Sequence, residues 1–104
     1  MSTPVRPSSF AQDEIEYYLR RYESDSPGLG DRLWQDIQYT ADLISDYPDI
    51  GEEVRRTRGL VRRFPLRHFP FFLIYRKRDE HLQIVALAHT SRRPKYWRAR
   101  LKFD

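Results

Sequence analysis

Apolar residues follow two periods along the chain, and the change falls near Gly51. Ala11, Ile15, Tyr18, Leu19 and Tyr22 recur at helical spacing, which predicts a first helix from about Phe10 to Glu23. Ser9 with Gln12 three residues on reads as a capping box, and Asp13 and Glu14 suit the positive end of that helix. After the turn Ser24 to Gly30, Leu33, Ile37, Ala41 and Ile44 repeat the pattern, and a second helix is expected to stop before Pro48. So short a link predicts an antiparallel hairpin, with Trp34 and Tyr47 placed to bridge it to another layer. Beyond the turn Tyr47 to Gly51 the period falls to two residues, and three strands are predicted: Leu60 to Leu66, Phe69 to Lys77 and Leu82 to His89. Ahead of the helices, Pro4 and Pro7 leave Ser2 to Arg6 as at best a short edge strand. The pattern is α+β: an N-terminal antiparallel helical hairpin packed on a mainly antiparallel sheet of three to four strands, with residues 1–104 as a single domain.

Two of these strands are apolar on both faces. Phe69, Phe71, Leu73 and Tyr75 alternate with Phe72 and Ile74, and Leu82, Ile84, Ala86 and Ala88 alternate with Val85 and Leu87. One face meets the helices, and the other needs a cover of its own. Either the C-terminal tail folds across it or a partner segment does.

Charge sharpens the division. Residues 1–54 hold 4 Lys/Arg against 12 Asp/Glu, and residues 55–104 hold 15 against 3, so a net −8 faces a net +12. An acidic scaffold presenting a basic face suggests that something negative docks there. The acids Glu16, Glu23, Asp36 and Asp42 are expected on outward helix faces, serving solubility. The chain has no cysteine, which excludes disulfides, thiol nucleophiles and thiolate metal sites. His68 and His81 fall in predicted turns, no two histidines have helical ligand spacing, and neither a metal nor another cofactor is called for. With no secretion-type apolar run at its start and no long apolar span, the chain is expected to be soluble and cytoplasmic.

The ordered set Tyr47-Pro48-Asp49-Ile50-Gly51, Gly59-Leu60, Phe64-Pro65, Phe69-Pro70-Phe71, Ile74-Tyr75-Arg76 and His89-Thr90-Ser91-Arg92-Arg93-Pro94-Lys95-Tyr96-Trp97 resembles the RelE/ParE superfamily of toxins from bacterial toxin-antitoxin systems, over roughly Ser8 to Arg100. The start departs from it, since such toxins open with a clear strand. The resemblance implies a toxin neutralised by a cognate antitoxin in a hetero-oligomer, the antitoxin's extended or helical segment wrapping the sheet and helices. Phe72, Ile74, Val85, Leu87 and Trp97 are the candidate antitoxin contacts.

That superfamily resembles two functional classes on one scaffold: ribosome-dependent mRNA endonucleases, and ParE-like toxins that act on DNA gyrase. Cleavage needs cations around a scissile phosphate and groups to move protons. Aligned without gaps on Tyr75 and Tyr96, the positions where the nucleases carry basic residues read Arg63, Pro65, Phe72 and Thr90, and only Arg63 and the aromatic Tyr96 match. The comparison favours a ParE-like, non-nucleolytic toxin. If the chain is a nuclease, Arg63, His89 and Tyr96 carry the chemistry, His89 as base or acid near neutral pH with Arg76 and Arg92 beside it. Arg62, Arg63, Arg76, Arg92, Arg93 and Arg98 are the candidate contacts for the target or for nucleic acid, while Trp97 is expected to pack on the sheet. A face sealed by the chain's own tail, or cations converging beside Phe72, would count against an open partner-binding sheet.

Overall fold

The structure, a computed structural model, describes residues 2–103. Its elements are β1 (Val5–Pro7), α1 (Ser9–Asp25), α2 (Leu29–Asp46), β2 (Glu52–Glu53), β3 (Val61–Pro65), β4 (Phe71–Lys77) and β5 (Leu82–His89), closed by a 3₁₀ turn over Arg98–Lys102. The fold class is as predicted, but the sheet has five strands in the order β1-β5-β4-β3-β2. Both edge strands are very short. β1 runs parallel to β5, the helical hairpin carries the chain from β1 at one edge of the sheet to β2 at the other, and the opening segment supplies a strand despite its prolines. β2 carries no apolar signal at all: Glu52 and Glu53 lie opposite Arg63 and Arg62, and cross-strand charge complementarity does what packing does elsewhere.

Helix one starts one residue earlier than the capping box implied. Ser8, not Ser9, is the cap: its Oγ accepts the Ala11 N–H at 3.1 Å, and its own N–H donates to the Ile84 carbonyl at 2.9 Å. Glu23 turns back to accept N–H donors from Gly28 and Gly30, capping α2 rather than facing solvent idly. The helices touch at Gly30, where a Cβ would sit 2.8 Å from the Leu19 carbonyl oxygen. Ala11, Ile15, Leu33 and Ile37 pack on Phe71, Leu73, Ile84 and Leu87 of the sheet, with Tyr18, Tyr22 and Phe69 sealing the margin. Trp34 and Tyr47 are 42% and 62% exposed and bridge nothing; the half-buried Tyr18 and Tyr22, edge-on to Phe69 and Phe71, do that instead.

Strict alternation along β5 is broken. Ile74 of β4 pairs with Ala86 and Tyr75 with Ile84, leaving Val85 as an extra residue. The bulge reverses the phase. Leu87 joins Leu82 and Ile84 on the helical side, and Ala86 and Ala88 turn with Val85 to the opposite face. On that face Trp97, 3% exposed, lies over Val61, Ile74, Val85, Ala86 and Ala88, with Tyr96 and Leu101 beside it. The chain's own tail is the second cover.

Candidate functional site

The tail lies where it does because buried polar bonds fasten it. Beyond β1 the outer edge of β5 has no strand partner, and Glu14 fills the gap. One carboxylate oxygen accepts the Leu87 N–H at 3.1 Å, the two oxygens take a bidentate Arg100 guanidinium at 2.7 and 2.8 Å, and the Tyr96 hydroxyl donates to it at 2.6 Å. Arg100 also donates to the Val85 carbonyl at 3.1 Å, so the exposed strand edge is satisfied by side chains. Burial, and then the bond to Glu14, push the Tyr96 hydroxyl well above the ordinary tyrosine range. Burial alone would lower Arg100, but Glu14 more than offsets it and leaves the guanidinium raised. Arg76 holds the tail's other end, donating to the carbonyls of Leu101 at 3.0 Å and Phe103 at 2.8 Å.

Between the tail, β4 and the start of the loop after β2 lies a cleft of about 350 Å³. Its floor is Phe72, Ile74, Ala88 and Trp97, and its rim carries Arg55, Arg63, Arg92, Arg93 and Lys95 against Glu52 and Glu53. Cations therefore do converge beside Phe72, which the gap-free comparison did not anticipate, because Arg55, Arg92, Arg93 and Lys95 arrive from the loop and tail. Among the described residues Arg63 is the one of them tied to an acid, its Nε 2.7 Å from Glu52 Oε1 and its guanidinium 4.7 Å from the Phe72 ring centre. Arg92 lies flat over Tyr96 at 3.8 Å.

The predicted site residues separate accordingly. Arg62 braces the turn Tyr47 to Gly51, donating to the carbonyls of Asp49 and Gly51, with Glu53 at 3.4 Å. Tyr75 fastens the same turn from inside: its hydroxyl donates to the Pro48 carbonyl and accepts the Gly51 N–H. Arg62, Arg63 and Arg76 are thus structural ties in this chain, and Arg92, Arg93 and Arg98 remain at the surface without a carboxylate partner among the described residues. Ile74 and Val85 lie beneath the tail, Trp97 is the tail side chain that covers them, and Leu87 lies beneath the helices, so a partner reaches the buried strand residues only by displacing those layers; Phe72 is the half-buried member of the set. Arg63, His89 and Tyr96 all line the cleft, and no hydrogen bond joins any two of them among the described residues. His89 Nδ1 accepts the Ser91 N–H at 3.0 Å, its ring meets Phe71 edge-on at 5.1 Å between centres, and the Tyr96 hydroxyl is engaged by Glu14.

Sequence reasoning missed two carboxylates. Glu14 and Asp36 lie on the apolar stripes of their helices, three residues after Ala11 and Leu33, and that placement was the available signal. Asp36 is not outward: it is 3% exposed, its Oδ2 accepts the His68 N–H at 2.8 Å, and its Oδ1 has no hydrogen-bond partner, with Arg67 Nε 3.9 Å away. Arg67 is held off by stacking on Tyr39, 3.5 Å from that ring's centre. Among the described residues no cluster of three or more His, Cys, Asp or Glu could hold a metal ion, and no helix is long and apolar enough to cross a membrane.

The family model for the ParE toxin of type II toxin-antitoxin systems, parDE, matches residues 5–94. Among solved structures, a chain from the chromosomal ParDE TA system of P. aeruginosa superposes with a TM-score of 0.72 at 16% identity, covering 86% of this chain and 98% of that one. At that identity the likeness concerns the fold. No curated protein matches the chain.

Proposed function

We propose that this chain, which belongs to the ParE toxin family of type II toxin-antitoxin systems, poisons DNA gyrase by binding rather than by cutting RNA, and is neutralised by a cognate antitoxin. The observation that carries this reading is the internal engagement of each group that nuclease chemistry would need. Tyr96 donates to Glu14, and a hydroxyl whose pKa is raised is a poor acid. Arg63 is paired with Glu52 at 2.7 Å, and His89 Nδ1 accepts a backbone N–H. What is left facing outward is a binding surface. The half-buried Phe72 in the cleft rimmed by Arg92 and Arg93 suits an acidic amphipathic segment, and we assign it to the antitoxin, in a hetero-oligomer formed in the cytoplasm where gyrase works.

A second reading rests on the cations and His89 that share that cleft: a ribosome-dependent endonuclease. Purified chain added to a gyrase supercoiling reaction and to translating ribosomes separates the two. Trapped gyrase cleavage complexes with intact message support the proposal, and cut message with unaffected gyrase overturns it. Arg93→Ala, at an exposed position, is expected to abolish growth inhibition while leaving the melting temperature within about 2 °C of the parent, as surface substitutions generally do.

A further inference from the structure

Four cations meet where the loop after β2 touches the tail. Lys95 Nζ donates to the Arg55 carbonyl at 2.8 Å, and Arg98 donates to the Arg56 carbonyl at 2.6 Å, so two cationic side chains are bonded onto a loop that brings two more. Among the described residues no carboxylate lies within ion-pair distance of any of the four. The backbone there is left-handed at residues with side chains: φ is 64° at Arg56, 57° at Arg58 and 61° at Lys95. Such conformations persist only where surrounding structure imposes them, and they concentrate at ligand-binding sites. Desolvation, followed by repulsion from Arg98, Arg56 and Arg55, lowers the Lys95 pKa. A strained loop thus concentrates like charge without compensating it, an arrangement that anions relieve.

We propose that Arg55, Arg56, Lys95 and Arg98 form a contact for the phosphate backbone of double-stranded DNA. This deepens the toxin reading, which places the protein on an enzyme that carries a DNA duplex. A single strand would need exposed aromatic faces for its bases. Here Trp97 is buried and the Tyr96 ring is covered by Arg92, while Phe103, 57% exposed, is at the tail end held by Arg76 and leans on Phe10 with ring centres 5.8 Å apart. An acidic peptide would profit from free guanidinium forks, but Arg98 and Lys95 each give a donor to a carbonyl. They present charge more than directed geometry, which fits a repeating phosphate chain.

The test is fluorescence anisotropy of the full chain with a labelled 20-base-pair duplex of arbitrary sequence, titrated with salt and without gyrase. Neutralising four phosphates predicts a slope of log K against log salt of about −3.6, at about −0.9 per contact. Arg56→Ala with Arg98→Ala is expected to bring the slope to about −1.8, whereas Arg56→Lys with Arg98→Lys retains it, which separates lost charge from lost folding. Arg20→Ala with Arg21→Ala, equal in charge but on α1, should leave the slope unchanged. The proposal is overturned if the duplex does not bind at 50 mM salt, if the α1 pair matters as much, or if single-stranded DNA or a glutamate-rich peptide binds at least as tightly. Because gyrase is absent, such a failure leaves the gyrase reading standing, and a failed supercoiling assay leaves this result intact.

Discussion

The sheet has two covers built on different principles. On one side α1 and α2 lay down apolar stripes and close their backbone bonds within the helices, so burial does most of the holding, with Glu14 and Asp36 as single polar ties to the sheet side. On the other side the segment after Thr90 has one short 3₁₀ turn for regular structure, and Trp97 is its one fully buried large side chain among the described residues. Its position is set by side-chain ties: Arg100 to Glu14, Arg76 to Leu101 and Phe103, Lys95 and Arg98 to the loop after β2. The difference teaches where each cover is vulnerable. The helical cover fails by losing volume, and the tail fails by losing one anchor or one charge.

Trp97→Ala attacks that difference most strongly. Deleting a buried tryptophan costs about 3–5 kcal/mol, and the loss is expected as release of the tail, with amides after Thr90 losing hydrogen-exchange protection while those of α1, α2 and β4 keep theirs. Equal loss in both regions would show that the two covers form one cooperative unit. Glu14→Gln comes next. It leaves the Arg100 guanidinium without its counter-charge at a site where the two side chains are 12% and 18% exposed, at a cost of about 2–4 kcal/mol, below the fully buried case because some water reaches the pair. Urea denaturation measures it, and Glu14→Gln with Arg100→Met should be more stable than Glu14→Gln alone.

The helical side offers the matching polar test. Asp36→Ala removes the acceptor of the His68 N–H, with an expected loss of about 1–3 kcal/mol by thermal denaturation. Because Asp36 Oδ1 has no hydrogen-bond partner, Asp36→Asn, which keeps an acceptor for His68, should cost less. An equal loss for Asn and Ala would mean that the charge, not the single hydrogen bond, holds the turn between β3 and β4.

The helical cover was legible because helix periodicity is a local property, and Leu33, Ile37 and Ile44 announce themselves within one window. β4 and β5 were legible as strands, but not the assignment of β5 faces, since a single extra residue at Val85 reverses everything after it and has no sequence mark. The double apolar faces did signal a second cover, and the residues left open whether tail or partner supplies it; the tail does. Glu52 and Glu53 form a strand only because Arg62 and Arg63 lie opposite, a pairing across a loop that no local window contains. The basic tail was visible as composition. Its division into ties, such as Arg100, and surface charge without a carboxylate partner among the described residues, such as Arg93, depends on which carbonyls and carboxylates the fold brings near, and composition does not contain that.

The smallest effect should come from one hydroxyl, and pH separates it from everything else the tail does. Tyr96 is held neutral in the folded chain by burial and by its bond to Glu14, so its folded pKa lies above the unfolded value of about 10. For an acid raised on folding, the unfolded chain loses its proton first as pH rises. The stabilising contribution is therefore complete below pH about 10 and is lost as pH climbs from there toward the folded value. Tyr96→Phe keeps the ring and deletes the hydroxyl, which should cost about 1–2 kcal/mol near neutral pH, as for a hydrogen bond to a charged acceptor. Above pH about 10 the gap between the two proteins should narrow, because only the parent has that hydroxyl to ionise. Tyr75 and Tyr22 are also raised, by burial first, so Tyr96→Phe should retain some alkaline decline of its own. Parallel stability curves for the two proteins from pH 8 to 11 would mean that the hydroxyl contributes nothing, and that Trp97 and Arg100 alone hold the tail to the sheet.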